Sequence, residues 1–213
     1  MSVGLRVLIA DDHAIIRRGV KEILTDAPDV TDVGEAGNPQ EVLRLVRTSR
    51  WDAVVLDIGL PGRGGLDVLK DIKAEYPRLP VLILSMHPEE QYAVRALRAG
   101  ASGYLTKESA PERLLEAVRR ITSGGRYISP SLADRLAANL VLDASKPVHE
   151  SLSDREFEVF TRIGGGMTVG EIARELALSV KTVSGYRAKI LEKTGLANNA
   201  AAMKYVLDHR LLD

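Results

Sequence analysis

Five residues with reactive side chains stand directly after short apolar runs. Asp11 and Asp12 follow Leu5–Ala10, Asp57 follows Ala53–Leu56, Ser85 follows Val81–Leu84, and Lys107 follows Ser102–Thr106. Alone, each has an ordinary explanation: Asp57 as a turn or cap carboxylate, Lys107 as a solvated lysine. If the runs are parallel strands of one sheet, however, all five side chains meet along one edge. Three carboxylates brought together repel unless a cation joins them. An oxygen-only donor set suits Mg²⁺, which keeps several waters and needs few protein ligands. A carboxylate beside that ion can attack a phosphoryl group and form an aspartyl phosphate. Asp57 fits the nucleophile, with Asp11 and Asp12 as metal ligands. Lys107 can meet phosphoryl oxygens as a point charge, and the Ser85 hydroxyl can donate to them.

The elements that must position these groups are legible around them. Asp52-Ala53-Val54-Val55-Leu56-Asp57 reads as a strand buried on both faces, and Pro61-Gly62 turns the chain toward a helix beginning near Gly65. Ligands of such sheets bind at the carboxyl ends of the strands. Further strands are expected at Leu5–Ala10, Val30–Ala36, Pro80–Ser85 and Ser102–Lys107. Between them run helices carrying Ile15, Ile16, Val20, Ile23 and Leu24, then Leu66, Leu69, Ile72 and Tyr76. Asn38 caps the second helix, with Pro39 at its first position. Helices over 88–99 and 111–122 complete a doubly wound five-stranded parallel α/β sheet.

After Gly124-Gly125 the pattern changes. A connecting helix is expected from Pro130 to Leu142 and a linker from Asp143 to Ser151. Only helices follow, at about 154–163, 168–176, 180–194 and 198–210. Ser153-Asp154-Arg155-Glu156 is a capping box.

Composition narrows the classes. Lys plus Arg and Asp plus Glu are both 29, so no global field draws the chain to nucleic acid or membranes, and any such site is a local patch. Zero Cys excludes disulfides and thiolate metal sites. The first residues lack a signal-peptide pattern, and no stretch is apolar enough to span a bilayer, which is compatible with a cytoplasmic protein. Two enzyme chemistries fit poorly. A haloacid-dehalogenase-like phosphatase wants a second Asp two residues after the nucleophile, where Gly59 stands. A dinucleotide-binding turn wants glycines after the first strand, where Asp11-Asp12-His13 would repel a pyrophosphate.

The order Asp-Asp, Asp, Ser, Lys on successive strands resembles the flavodoxin-like receiver domain of bacterial two-component response regulators, over about residues 5–123. The resemblance implies that Asp57 accepts phosphate from a sensor histidine kinase. It implies that Asp11, Asp12, Asp57 and the Gly59 backbone carbonyl hold Mg²⁺. It also implies that Ser85 moves toward the phosphate and Tyr104 then turns inward. One departure is Glu108, where many receivers have Pro after the Lys.

Residues 150–213 carry nine acidic and nine basic groups, yet the helix over 180–194 is uneven. It holds Lys181, Arg187, Lys189 and Lys193 against Glu192 alone, a net charge of +3. With the short helix before it, this could be a helix-turn-helix or a plain bundle with one basic face. Leu152-Ser153-Asp154-Arg155-Glu156, Glu171-Ile172-Ala173-Arg174-Glu175-Leu176 and Ser179-Val180-Lys181-Thr182-Val183-Ser184 are similar to the LuxR-type helix-turn-helix. Joined to a receiver, this resembles the NarL/FixJ family. The resemblance implies double-stranded DNA as a partner, with Lys181, Thr182 and Lys189 toward phosphates and Ser184, Gly185 and Ala188 near bases. Those side chains are small, so Arg187, backbone approach and DNA shape carry much of the expected readout. The expected organisation is a receiver over 1–124, a connecting helix and linker over 125–150, and a DNA-binding domain over 151–213. The expected function is phosphorylation-dependent transcription control, with a homodimer on phosphorylation or on DNA. A metal-dependent phosphohydrolase and a receiver with a protein-binding tail are the rivals.

Overall fold

In the computed structural model, which describes residues 4–130, 132–134, 147–209 and 211–212, strand and helix alternate through the first half of the chain. The strands are β1 (Leu5–Ala10), β2 (Val30–Ala36), β3 (Ala53–Asp57), β4 (Val81–Ser85) and β5 (Gly103–Thr106). The helices between and after them are α1 (Ala14–Thr25), α2 (Pro39–Thr48), α3 (Gly65–Glu75), α4 (Glu89–Arg98) and α5 (Ala110–Thr122). All pairings are parallel, in the order β2-β1-β3-β4-β5. The strand order reverses between β1 and β3, so a crevice opens above the carboxyl ends of those two strands.

Burial follows the strand period of two. Val7, Ile9, Val55, Leu82, Leu84 and Leu105 face Val20 and Leu24 of α1 and Leu114, Val118 and Ile121 of α5. Leu8, Val54, Leu56 and Ile83 alternate with them and are equally buried, which places them on the opposite face. Central strands buried on both sides read as unbroken apolar runs, as β3 and β4 do. Asn38 accepts from the Glu41 N–H at 2.9 Å, capping α2 as its sequence predicts. Two apolar positions depart from expectation. Ile15 is 86% exposed, because it lies on the outer side of the first turn of α1 while Ile16 packs inward. Tyr76 ends α3 as its C-cap and is 37% exposed.

The loop from β3 to α3 folds back on the phosphoryl-site strand. The Gly65 N–H donates to the Ile58 carbonyl at 2.8 Å, and a Cβ on Gly65 would stand 2.0 Å from the Asp57 carbonyl oxygen. Because the obstructing atom is backbone, Gly65→Ala should cost about 3 kcal/mol. The check is the urea midpoint of the full chain; an unchanged midpoint would mean the loop does not lie against Asp57.

The chain divides into two compact units, residues 1–138 and 139–213. Pro130 and Leu132–Asp134 are helical, but the rest of the expected connecting helix and the linker over 143–146 lie outside the described residues. In the second unit a short 3-10 turn (Val148–Ser151) precedes α6 (Asp154–Gly164), α7 (Val169–Glu175), α8 (Val180–Thr194) and α9 (Asn199–Asp208). Helix α6 packs closely on α9: a Cβ on Gly164 would meet Val206 Cγ1 at 2.4 Å, which explains the glycine there. No helix among the described residues is long and apolar enough to cross a membrane.

Candidate functional site

Because Ala10 pairs with Leu56 across β1 and β3, Asp11 and Asp57 emerge side by side at the crevice. Lys107, just past β5, reaches back to both: its Nζ lies 2.6 Å from Asp11 Oδ2 and 2.9 Å from Asp57 Oδ2. Asp11, Asp57 and Ser85 are all buried, whereas Asp12 stands exposed at the rim. Ligand atoms of Asp11, Asp12, His13 and Asp57 all lie within 4.8 Å of one another. The sequence reading missed His13 as a member of this group. Its backbone N–H donates to Asp11 Oδ1 at 2.8 Å, and its Nδ1 lies 2.7 Å from Asp12 Oδ1. Arg17 was also missed; its Nη1 donates to the Asp11 carbonyl at 2.7 Å and so ties α1 to the end of β1.

The electrostatics follow from this crowding. Burial raises the Asp57 carboxyl above its ordinary value; Lys107 opposes that and Asp11 reinforces it. Burial alone depresses the Lys107 ammonium, but Asp57 and Asp11 outweigh it and the net direction is upward. Lys107 is therefore a fixed positive charge. Three carboxylates against this one ammonium leave the pocket with two excess negative charges when His13 is neutral. Asp11 Oδ2 is buried, and its partner is the Lys107 ammonium 2.6 Å away. Excess negative charge and converging hard oxygen donors fit a divalent cation. Receiver domains bind Mg²⁺ at such an acidic pocket, and this chain presents the acidic cluster.

Beside the pocket, Ser85 Oγ accepts from the His87 N–H at 3.0 Å. The His87 carbonyl in turn accepts from the Tyr104 hydroxyl at 2.8 Å. Tyr104 is 2% exposed, so its ring is already inside rather than half-buried on the sheet surface. Burial pushes its phenol well above the ordinary tyrosine range. Ser85 and Tyr104 thus meet the two backbone polar groups of one residue, the N–H and the carbonyl of His87.

The second site lies on α8. Ser179 caps it by accepting from the Thr182 N–H at 3.0 Å, and Ala177 makes the turn from α7 with φ 51°. Val183 and Ile190 are buried beneath it. Lys181, Thr182, Ser184, Gly185, Ala188 and Lys189 are all exposed, so the positions expected to meet DNA share the solvated side. Two of the helix's cations are committed elsewhere. Arg187 Nε donates to Asn199 Oδ1 at 2.6 Å, and Lys193 Nζ donates to Glu156 Oε2 at 2.6 Å. Lys181 and Lys189 are exposed and lie outside those two pairs.

Glu156 is the hinge of this packing. It is buried, closes the capping box with the Ser153 N–H at 2.8 Å, and meets Lys193. Burial pushes its carboxyl up, but Lys193 and the Ser153 N–H outweigh burial and hold it below the usual range. A depressed folded value means stability that is present above the unfolded value, roughly 4.3, and lost as pH falls through the folded one. The second unit should therefore lose stability below about pH 4.3, and Lys193→Met should flatten that acid limb while leaving Glu156 in the core. Thermal melts from neutral to acid pH check this; equal acid limbs would remove the pair from acid stability.

Comparison with known proteins now gives these two sites a family. Residues 7–119 match the response regulator receiver domain, and residues 150–206 match the bacterial regulatory proteins of the luxR family. The chain is 32% identical to the response regulator UvrY of Escherichia coli, covering 97% of this chain and 95% of that one. It is likewise 32% identical to the response regulator GacA of Pseudomonas aeruginosa, covering 98% of each. Among solved structures it is similar to RcsB of Salmonella enterica serovar Typhimurium, bound to the promoter rprA in the presence of phosphomimetic BeF3⁻. That likeness has a TM-score of 0.65 and 26% identity, over 96% of this chain and 99% of RcsB. The family consists of DNA-binding transcription regulators rather than enzymes, which sets aside the phosphohydrolase alternative. With an acidic pocket at the end of a parallel sheet and a basic helix in a separate helical unit, the chain belongs to the two-component response regulators of NarL/FixJ type.

Proposed function

We propose that Asp57 is the phosphoacceptor of this regulator, and that a sensor histidine kinase is the donor. The observation that carries this is the meeting of Asp57 with Asp11 and Lys107 at one strand edge. An Asp57 carboxylate oxygen attacks phosphorus, the P–N bond of the donor phosphohistidine breaks, and the imidazole leaves with the bonding pair. Lys107, held close by, neutralises charge on the arriving phosphoryl oxygens. Asp11, Asp12, Asp57 and the Gly59 carbonyl are the residues that hold Mg²⁺, which supplies charge neutralisation at the phosphoryl group. Ser85 turns its hydroxyl from the His87 N–H toward the phosphate, and Tyr104 follows through the His87 carbonyl.

Phosphorylation biases an equilibrium toward a form that dimerises on DNA. Lys181, Thr182 and Lys189 meet phosphates, Ser184, Gly185 and Ala188 approach bases, and Arg187 contributes through whichever of its N–H groups Asn199 leaves open. The domains are a receiver over 1–124, a connecting segment over 125–150 and the DNA-binding domain from 151, acting in the cytoplasm. The RcsB structure with promoter DNA and a phosphomimetic supports this reading by likeness. The test is incubation with acetyl phosphate and Mg²⁺. A stoichiometric, hydroxylamine-sensitive adduct is expected; release of inorganic phosphate over many rapid turnovers without an adduct would overturn the reading.

A further inference from the structure

The chain leaving α5 returns to the β5 edge of the sheet and is fastened there. The Tyr127 N–H donates to the Ser102 carbonyl at 3.0 Å, and the Tyr104 N–H donates to the Tyr127 carbonyl at 3.1 Å. Tyr127 therefore pairs in parallel with Gly103, and its ring packs against the core. A Cβ on Gly103 would stand 2.6 Å from the Tyr127 carbonyl oxygen, so glycine permits this approach. Two residues on, Ser129 meets the first residue of α4. Its N–H donates to Glu89 Oε1 at 3.2 Å, and its hydroxyl donates to Glu89 Oε2. The same hydroxyl oxygen accepts from the Leu132 N–H at 3.1 Å, and the Ala133 N–H donates to the Ser129 carbonyl at 3.0 Å. Ser129 is thus the N-cap of the helical turn that opens the connecting segment, and Glu89 holds that cap. A cavity of about 570 Å³ opens beside this strap, lined by Glu89, Tyr104, Tyr127 and Ser129, which leaves room for the contact to part.

We infer that Glu89 and Ser129 form a latch that holds the start of the connecting segment against the receiver while Asp57 is unmodified, and that phosphorylation opens it. This rests on the reading of Asp57 as phosphoacceptor and of Ser85 as the group that turns toward the phosphate. Glu89 stands two residues after His87, whose N–H donates to Ser85 Oγ and whose carbonyl accepts from the Tyr104 hydroxyl. Tyr104 therefore touches the switch through its hydroxyl and the strap through its own N–H. The latch is closed in the arrangement where Lys107 bridges Asp11 and Asp57. When the Ser85 hydroxyl leaves the His87 N–H, that donor loses its acceptor, and the loop before α4 resettles to satisfy it. Glu89 directly follows that loop and is carried off Ser129. Such coupling is reciprocal. The factor by which a phosphoryl group on Asp57 weakens the latch is the factor by which a broken latch tightens phosphoryl binding.

The experiment titrates the full chain with beryllofluoride and Mg²⁺ by calorimetry and follows hydrogen exchange over residues 127–133 in the same samples. In the parent, exchange over that stretch should be slow at first and quicken as beryllofluoride binds. Glu89→Ala removes the latch and leaves the Ser129 cap in place. Ser129→Asp keeps a capping oxygen and sets a like charge against Glu89. Each variant should exchange quickly from the start and bind beryllofluoride about fivefold more tightly or better, the lower end of ordinary coupling between sites. The double variant should gain no more than Glu89→Ala alone, because one contact is being broken twice. General damage to the fold would weaken binding, so a gain in affinity separates a latch from a merely structural contact. Should one variant fail to fold, the other carries the same comparison. Beryllofluoride bound by the parent with no change in exchange over 127–133 would overturn the latch alone. So would affinities in the folded variants equal to the parent's or weaker. A parent that neither binds beryllofluoride nor takes label from acetyl phosphate would overturn the reading of Asp57, and the latch with it.

Discussion

Asp57→Asn takes no label from acetyl phosphate under conditions where the parent is labelled stoichiometrically. An amide oxygen is a poor nucleophile, and the neutral group cannot hold a cation as a carboxylate does. The loss is expected without unfolding. Asp57 is buried beside Asp11, and burial with that like charge raises its carboxyl, so its negative charge is held at a cost. Asn removes the repulsion and leaves Lys107 paired with Asp11, whose Oδ2 is 2.6 Å from Nζ. The melting temperature should therefore match or exceed the parent's while the adduct disappears. Asp12→Ala should behave differently: the acceptor stays, and labelling slows but recovers at high Mg²⁺. Labelling of Asp57→Asn at the parent's rate and at the same tryptic peptide would move the acceptor to another residue.

Much of this pocket was legible because strand ends are one-dimensional features. A parallel sheet puts every carboxyl end on one edge, so Asp11, Asp57, Ser85 and Lys107 needed only the strand assignments to converge. What the sequence could not show were side-chain directions across the edge. Lys107 bridges two carboxylates rather than reaching freely into solvent, and that depends on three separate loops. His13 directly follows the Asp pair, which was a usable signal, but its aim is a matter of rotamer. Ile15 sits at helical spacing with the core residues of α1 yet points outward, since a period alone does not fix the width of the buried stripe. In the second unit, charge counting gave α8 four cations, while pairing with Asn199 and Glu156 engages two of them. Pairs between distant helices leave no trace in local spacing.

A fragment spanning residues 147–213 should fold alone and bind duplex DNA without any phosphate on the receiver. Its core is internal: Phe157, Phe160, Ile172, Val183, Ile190 and Val206 are buried, and its helices carry their own caps. The sequence suggested a start near 150 or 151, but that cut removes a collar. His149 Nδ1 lies 3.1 Å from the Tyr205 hydroxyl, its ring contacts Phe157, and Tyr205 stacks on His209 at 3.8 Å. A fragment over 151–213 should melt lower than one over 147–213 by about 1–2 kcal/mol of stability, the scale of one buried hydrogen bond with an aromatic contact. On DNA, Lys181 and Lys189 are the exposed cations of α8 that lie outside those two pairs. A bound pair of fragments then neutralises about four phosphates, giving a slope of log affinity on log salt near −3.6. Raising salt from about 50 to 200 mM should weaken binding roughly 10²-fold. Lys181→Ala or Lys189→Ala should each reduce that slope by about 0.9 per copy, on specific and random duplexes alike. Changes at Ser184 or Ala188 should instead alter which sequence is preferred while leaving the slope in place. Salt titrations of the fragment, the whole protein and the phosphorylated whole protein on one duplex measure all of this. Unchanged slopes in both lysine variants would take α8 off the DNA backbone, and a fragment that binds no duplex pool at low salt would favour a protein-binding role for the second unit.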